Sequence, residues 1–179
     1  MSIKLLGKQS LVYGFGHVIT RLVTFLLLPL YTNKFTPEQY GIVALFYTFV
    51  PLLNIVVRYG MGAAFLKNYV PANKEDRISI MTNVIISLVL TGIPFLLLFY
   101  FFRDNLSIVF FGVAKPSYVV MMGIIIFLDT IWSIPMLALR AENRPRLFIF
   151  FSFLNVGVTL LCNLVFIIIF KMNIGSIFL

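Results

Sequence analysis

The sequence is poor in the residues that most enzymes use for chemistry. Its 179 residues include one cysteine, one histidine and only six acidic residues. Cys162 alone permits neither an intramolecular disulfide nor a cysteine-based zinc site. The sequence also has no Gly-x-Ser-x-Gly elbow, no phosphate-binding loop and no aspartate-rich motif for a metal-bound diphosphate. These gaps predict a protein that is not an enzyme and has neither a metal site nor a cofactor.

Charged residues are also scarce, and apolar residues replace them. Only 11% of the chain is charged, while 61% is hydrophobic and the mean hydropathy is +1.04. A soluble domain has about 25% charged residues and about 45–50% apolar residues. The composition therefore predicts an integral membrane protein. The net charge of +8 is typical of membrane-protein loops that set topology, so we expect no nucleic-acid partner.

Five apolar stretches are long enough to cross a membrane, which takes about 20 residues. They cover residues 9–31, 40–65, 78–102, 117–139 and 147–170. A sixth stretch begins in the terminal NIGSIFL, where the sequence stops. We therefore predict an all-α integral membrane protein with five transmembrane helices and the start of a sixth, as the N-terminal part of a longer chain.

The basic residues of the predicted loops are unequally divided between the two sides of the membrane. The richer side is normally cytoplasmic, which places the N-terminus in the cytoplasm. Eight basic residues lie on that side, namely Lys4, Lys8, Lys67, Lys74, Arg77, Arg140, Arg144 and Arg146. Four lie on the other side, namely Lys34, Arg103, Lys115 and Lys171.

The loop before the second span contains a helix-start signal. In TPEQYG, Thr36 suits the cap, Pro37 suits the first helical position, and Gln39 stands three residues after the cap. This arrangement is a capping box, in which two residues satisfy each other's free backbone N–H groups. It predicts that the second span begins here, directly after the first.

Three ionisable residues lie deep inside predicted spans: Arg21, Arg58 and Asp129. At ~1.5 Å per residue, their depths from the predicted inner edge are ~18, ~14 and ~16 Å. A charge near the bilayer centre costs at least ~2.5–3.5 kcal/mol, so such residues face a bundle interior or a watery cavity. Two interpretations stay open. One is a closed pair of Arg21 with Asp129, with Arg58 snorkelling towards the membrane surface. The other is a cationic cavity that binds a phosphate or pyrophosphate through Arg21 and Arg58.

Each span also carries polar residues at steps of three or four, which share one helix face. Such a stripe lines a cavity, or it simply joins helices through hydrogen bonds. The candidate cavity-lining residues are Tyr13, His17, Thr24, Asn54, Asn83, Asp129 and Asn155. Each of the first four spans also contains a proline, and these kinks are either static or hinges. The hinge candidates are Pro29, Pro51, Pro94 and Pro135.

Several short motifs appear in an order that resembles a known family. They are Thr20-Arg21 in the first span, PEQYG after it, YGMG (residues 59–62) in the second span and LRAENRPRLF between the fourth and fifth. With these motifs the sequence resembles bacterial polysaccharide flippases, the O-antigen and capsule exporters of the multidrug/oligosaccharidyl-lipid/polysaccharide superfamily. The resemblance extends over essentially the whole chain.

The resemblance implies a two-lobed transporter of about twelve to fourteen helices in the bacterial cytoplasmic membrane, working by alternating access. It implies a lipid-linked oligosaccharide as substrate, carried on a polyprenyl diphosphate that Arg21 and Arg58 contact. Implied partners are membrane lipids, the remaining C-terminal part of the chain and polysaccharide polymerase machinery, and coupling to H⁺ or Na⁺ stays open. The alternatives are a multidrug cation exporter of the same superfamily, a structural or assembly membrane protein, and an intramembrane transferase.

Overall fold

A computed structural model describes the backbone of residues 36–164 and the side chains of residues 36–159 and 161. Every regular element in this part of the chain is an α-helix. The six helices are α1 (Pro37–Arg58), α2 (Met61–Tyr69), α3 (Lys74–Phe101), α4 (Arg103–Phe111), α5 (Pro116–Ala141) and α6 (Pro145–Leu164). The predicted first span and the start of the predicted sixth lie outside the described residues. Residues 41–142 belong to one compact unit, and α6 belongs to a second.

Three of these helices are long and apolar enough to cross a membrane, namely α1, α3 and α5. They correspond to the predicted second, third and fourth spans. Helix α6 begins where the fifth span was predicted, but the end of that span lies beyond the described residues. The fold is therefore that of an all-α membrane protein, while the count of five spans and the start of a sixth stays a prediction.

The first turn of α1 contains the predicted capping box. The backbone N–H of Thr36 donates to Oε1 of Gln39 at 3.1 Å, and the N–H of Gln39 donates to Oγ1 of Thr36 at 3.4 Å. These reciprocal bonds satisfy two of the backbone donors that a helix start leaves free. The start of α1 was thus predictable from a four-residue pattern.

The end of α1 differs from the sequence prediction. The predicted second span ran from residue 40 to residue 65, but α1 ends at Arg58 and α2 begins at Met61. Between them, Tyr59 has φ 33° and Gly60 has φ 79°. Glycine adopts this left-handed conformation without steric cost, whereas a bulky residue rarely does. Hydrophobicity continues across the break, so hydropathy alone does not locate it.

A second difference lies between α3 and α5, where hydropathy predicts a loop. Residues Arg103–Phe111 form α4, which ends at Gly112 with φ 67°. Helix α4 packs on both α3 and α5. Its Phe110 ring lies 4.8 Å from the ring of Phe49 in α1. The short helix thus packs aromatic side chains against one end of the spans.

Helices α3 and α5 are antiparallel and pack closely because two glycines lie in their interface. A Cβ atom on Gly92 of α3 would lie 2.6 Å from the ring of Phe127. A Cβ atom on Gly123 of α5 would lie 3.3 Å from Leu96 and from Phe99. Small residues let membrane helices approach closely, since dispersion contacts replace the hydrophobic effect there. This pair of helices forms the packed centre of the unit.

Three polar side chains contact one another at one end of the unit. We call this group, formed by Tyr69, Arg77 and Glu142, the end cluster. The hydroxyl of Tyr69 donates to Oε1 of Glu142 at 2.7 Å, and Nη1 of Arg77 lies 3.9 Å from the same oxygen. The guanidinium of Arg77 also lies over the Tyr69 ring, 5.3 Å from its centroid. The end cluster therefore connects the ends of α2 and α5 to the first turn of α3.

Close packing at Gly92 leads to a first prediction. Gly92→Ala forces the Phe127 ring to move and should lower the free energy of unfolding by about 1–3 kcal/mol. The readout is the midpoint of thermal unfolding of the purified protein in detergent. Phe127→Leu should restore much of the loss in the Gly92→Ala background. Gly41→Ala is the matched control, because nothing lies within 4 Å of a Cβ there. Equal midpoints for both alanine variants would contradict this packing.

The end cluster leads to a second prediction. Tyr69 is only 5% exposed, so Tyr69→Phe removes the hydrogen bond to Glu142 without changing the packing of the ring. We expect a loss of about 1–3 kcal/mol of unfolding free energy, because the acceptor is charged. Tyr100→Phe, at an exposed position, should leave the unfolding midpoint unchanged. An unchanged midpoint for Tyr69→Phe would show that the bond to Glu142 adds nothing to stability.

Candidate functional site

Arg58 at the end of α1 meets Asp129 in α5. Nη2 of Arg58 lies 3.4 Å from Oδ2 of Asp129, and it donates to the Asp129 backbone carbonyl at 3.2 Å. Asp129 lies near the middle of α5, about 18–20 Å from either end at ~1.5 Å per residue. The contact places Arg58 at the same level. Two opposite charges thus meet well inside a spanning helix.

Asn54, one turn before Arg58, holds Asp129 in place. Its Nδ2 donates to Oδ2 of Asp129 at 3.0 Å, and its Oδ1 accepts from the Thr130 hydroxyl at 3.2 Å. Asn54 is 7% exposed and Thr130 is 1% exposed. A buried amide whose donor and acceptor are both used has a fixed orientation. Asn54 therefore presents a fixed N–H donor to Asp129.

The two charged side chains are much less buried than the amide that holds them. Side-chain exposure is 37% for Arg58 and 50% for Asp129. A charge at membrane depth is tolerated when it faces other polar groups or a watery cavity, and not when it faces lipid tails. Nε of Arg58 is shielded and has no hydrogen-bond partner in the described part of the chain. The guanidinium thus keeps donor capacity that Asp129 does not use.

A second polar group lies next to Arg58, at the helix break. The Tyr59 hydroxyl lies 3.1 Å from Oγ of Ser87 and 3.5 Å from Oγ1 of Thr91, both in α3. The rare positive φ of Tyr59 is thus accompanied by contacts that hold the residue. Such strain persists where the surroundings impose it, often at functional sites. The break comes directly after Arg58, the last residue of α1.

The structure brings together three of the sequence-predicted site residues, namely Asn54, Arg58 and Asp129. Asn83 is exposed on α3, one turn before Ser87, and Asn155 is exposed on α6 in the other compact unit. Both remain predictions as cavity-lining residues. Five predicted site residues lie outside the described part of the chain, namely Tyr13, His17, Arg21, Thr24 and Pro29.

The helices are continuous at the three hinge-candidate prolines that the structure describes. Pro51, Pro94 and Pro135 lie inside α1, α3 and α5, which continue through them. Their hinge role stays a prediction. The interruption of the second predicted span comes instead at Tyr59 and Gly60. Over residues 36–164, no group of three or more His, Cys, Asp or Glu residues is placed to hold a metal ion.

Two residues of this site, Thr130 and Tyr59, are not predicted by the sequence patterns. Thr130 adjoins Asp129 and stands three residues before Ser133, so helical spacing alone does not say which of the two neighbours matters. Its hydroxyl nevertheless reaches Asn54 across the helix interface. Tyr59 is part of the YGMG motif, which does not by itself give the residue a role. The signal that could have found it is Gly60, since a glycine amid apolar sequence often marks a left-handed backbone position.

Comparison with known proteins gives one result. A family model described as "Polysaccharide biosynthesis protein" matches residues 6–178 of the chain. Searches of curated proteins and of solved structures find no significant match.

Asn54 provides the prediction for this site. Asn54→Ala leaves the buried Thr130 hydroxyl without its acceptor and removes a donor to Asp129. The expected loss is about 1–3 kcal/mol of unfolding free energy, the usual cost of stranding buried polar groups. The measurement is again thermal unfolding in detergent. Thr48→Ala on the same helix is the control, because that hydroxyl donates only to the Ala44 carbonyl of its own helix. A loss no larger than that of the control would refute the network.

Proposed function

Because the chain belongs to the polysaccharide biosynthesis protein family, we propose that it is a flippase, a transporter of surface-polysaccharide precursors. Its substrate is an oligosaccharide linked to a polyprenyl diphosphate. The protein moves this lipid from the inner to the outer leaflet of the bacterial cytoplasmic membrane by alternating access. The polymer made from it is of the O-antigen or capsule type.

The observation that carries this proposal is the half-exposed ion pair at membrane depth. The side chains of Arg58 and Asp129 are 37% and 50% exposed, on helices that are long and apolar enough to cross a membrane. Lipid tails would not solvate such a pair, whereas a polar translocation path would. Intramembrane ionisable residues commonly mark the path of a substrate or ion. The pair therefore favours a transport role over a purely structural one.

Arginine suits the diphosphate part of such a substrate. Its guanidinium offers five N–H donors in a planar fork that matches phosphate oxygens. All hydrogen bonds from Arg58 to described residues come from Nη2. Nε is shielded, so Nη1 is the group that is left for an anion. We assign Arg58, together with Arg21 from the predicted first span, to the diphosphate. A carrier of organic cations would instead present acidic side chains that no arginine neutralises.

The orientation is part of the same proposal. Lys67, Lys74 and Arg77 lie around the α2–α3 connection, and Arg140 lies in the last turn of α5. Arg103 and Lys115 lie near the opposite ends of α3 and α5. Basic residues collect on the cytoplasmic side. The end that carries the end cluster is therefore cytoplasmic, which also puts the N-terminus inside.

Arg58→Gln is the test of this function. The substitution should abolish export of surface polysaccharide, because the diphosphate loses a charge-assisted contact. It is introduced into the chromosomal gene, and lipid-linked oligosaccharide is quantified in the inner and outer leaflets alongside surface polymer. Arg103→Gln makes the same change in net charge at a residue that stacks on Tyr100, 4.7 Å from the ring centroid. That control should export normally.

The outcomes separate the alternatives. Lost export with normal amounts of protein in the membrane supports a flippase, because a structural or assembly protein would act through its presence. Normal export by Arg58→Gln refutes the assignment of Arg58. If Arg58→Gln exports polysaccharide normally and Asp129→Asn sensitises cells to cationic drugs, the multidrug-exporter hypothesis is favoured.

A further inference from the structure

We propose that Asp129 is a built-in competitor of the transported anion. It binds Arg58 when the site is empty and yields it to the diphosphate when substrate arrives. The carboxylate returns when substrate leaves, so Arg58 is not left as an unpaired charge within the membrane. This inference rests on the proposed function and adds a positioning residue to it, one that acts on substrate through Arg58.

The geometry of the ion pair suits a contact that is made and broken. Strong arginine–carboxylate pairs are bidentate, with N–O distances of about 2.7–2.9 Å. Here one nitrogen, Nη2 of Arg58, lies 3.4 Å from one carboxylate oxygen, Oδ2 of Asp129. The shorter bond from that nitrogen, at 3.2 Å, goes to the backbone carbonyl of Asp129. The side chains are thus paired through a single long contact.

Asp129 also keeps a partner when Arg58 moves away. Nδ2 of Asn54 donates to Oδ2 of Asp129 at 3.0 Å, which is shorter than the contact with Arg58. Asn54 is itself anchored by the Thr130 hydroxyl at 3.2 Å. The carboxylate is therefore held at a fixed place beside the guanidinium. Losing Arg58 costs it one hydrogen bond while another stays intact.

The guanidinium of Arg58 has donor capacity for an anion. Nε is shielded and has no hydrogen-bond partner among the described residues, and a buried donor without a partner costs free energy. Nη1 makes no hydrogen bond to Asp129, so it is left to donate to a phosphate oxygen. The side chain is 37% exposed, so an anion has access without unfolding the helix end. When phosphate replaces the Asp129 carboxylate, Arg58 therefore exchanges a single 3.4 Å contact for closer hydrogen bonds to phosphate oxygens.

Competition of this kind weakens apparent binding and speeds release. When only a fraction of the sites is free to bind, the apparent Kd rises in inverse proportion to that fraction. A transporter needs a site that lets go of its substrate on the far side of the membrane. Without the carboxylate, the anion is the remaining counter-ion for Arg58. Binding then tightens while transport slows.

The test measures binding and transport on the same variants. The protein, at the full length its gene encodes, is purified in detergent and titrated with inorganic pyrophosphate by calorimetry at low salt. Asp129→Asn keeps a side-chain carbonyl that accepts from Asn54 but removes the charge. We expect a pyrophosphate Kd about tenfold lower than that of the wild type, with slower export of surface polysaccharide in cells.

Two further variants complete the comparison. Asp104→Asn removes the same charge from exposed Asp104 in α4 and should leave both Kd and export as in the wild type. Arg58→Gln should lose pyrophosphate binding. If Asp129→Asn does not fold, as judged by its thermal midpoint, Asp129→Ser removes the same charge with a smaller side chain.

The results distinguish this inference from the proposed function. If Asp129→Asn binds pyrophosphate no more tightly than the wild type while Arg58→Gln loses binding, the competitor role is wrong and the anion site stands. A parallel drop in Kd for Asp104→Asn would also overturn it, since overall charge would then explain the effect. If Arg58→Gln binds like the wild type, or the wild type does not bind at all, the anion site and the competitor role both fail.

Discussion

A charge inside a membrane has to be paired or hydrated, and this constraint organises the described part of the chain. Arg58 and Asp129 meet that requirement together, near the middle of α5. Around this contact, α1 ends at Arg58, the amide of Asn54 bonds at both ends, and the Thr130 hydroxyl faces the helix interface. The pair and its supports therefore form one unit whose parts depend on each other.

The helix break after Arg58 belongs to that same arrangement. Tyr59 and Gly60 both have a left-handed backbone, and the Tyr59 hydroxyl is held by Ser87 of α3. If α1 continued as a regular helix, the residues after Arg58 would follow the same axis past Asp129. The break instead ends α1 at Arg58 and redirects the chain into α2. The strained backbone of Tyr59 thus lies directly next to Arg58, whose guanidinium contacts Asp129.

The unit is stabilised by two kinds of contact, apolar packing and polar side-chain contacts. Helices α3 and α5 meet through close apolar packing around Gly92 and Gly123. Helix α1 joins α5 through the polar contacts of Asn54 and Arg58. Close apolar packing resists rearrangement because every shift opens a gap. The contacts of α1 with α5 depend on a few polar side chains, of which Asn54 has a fixed orientation.

The sequence by itself determined the class of the protein, the approximate places of α1, α3 and α5, the capping box at Thr36 and the similar level of Arg58 and Asp129. Hydropathy and helical spacing are local, and these features depend on local physics. The tertiary structure decided which arginine contacts Asp129 among the described residues, where α1 breaks, that α4 is a helix, and that Thr130 supports Asn54. Each of these depends on contacts between residues far apart in the chain, such as Asn54 with Asp129. Helix periodicity places a residue on a face, but only the packing of neighbouring helices decides what that face meets.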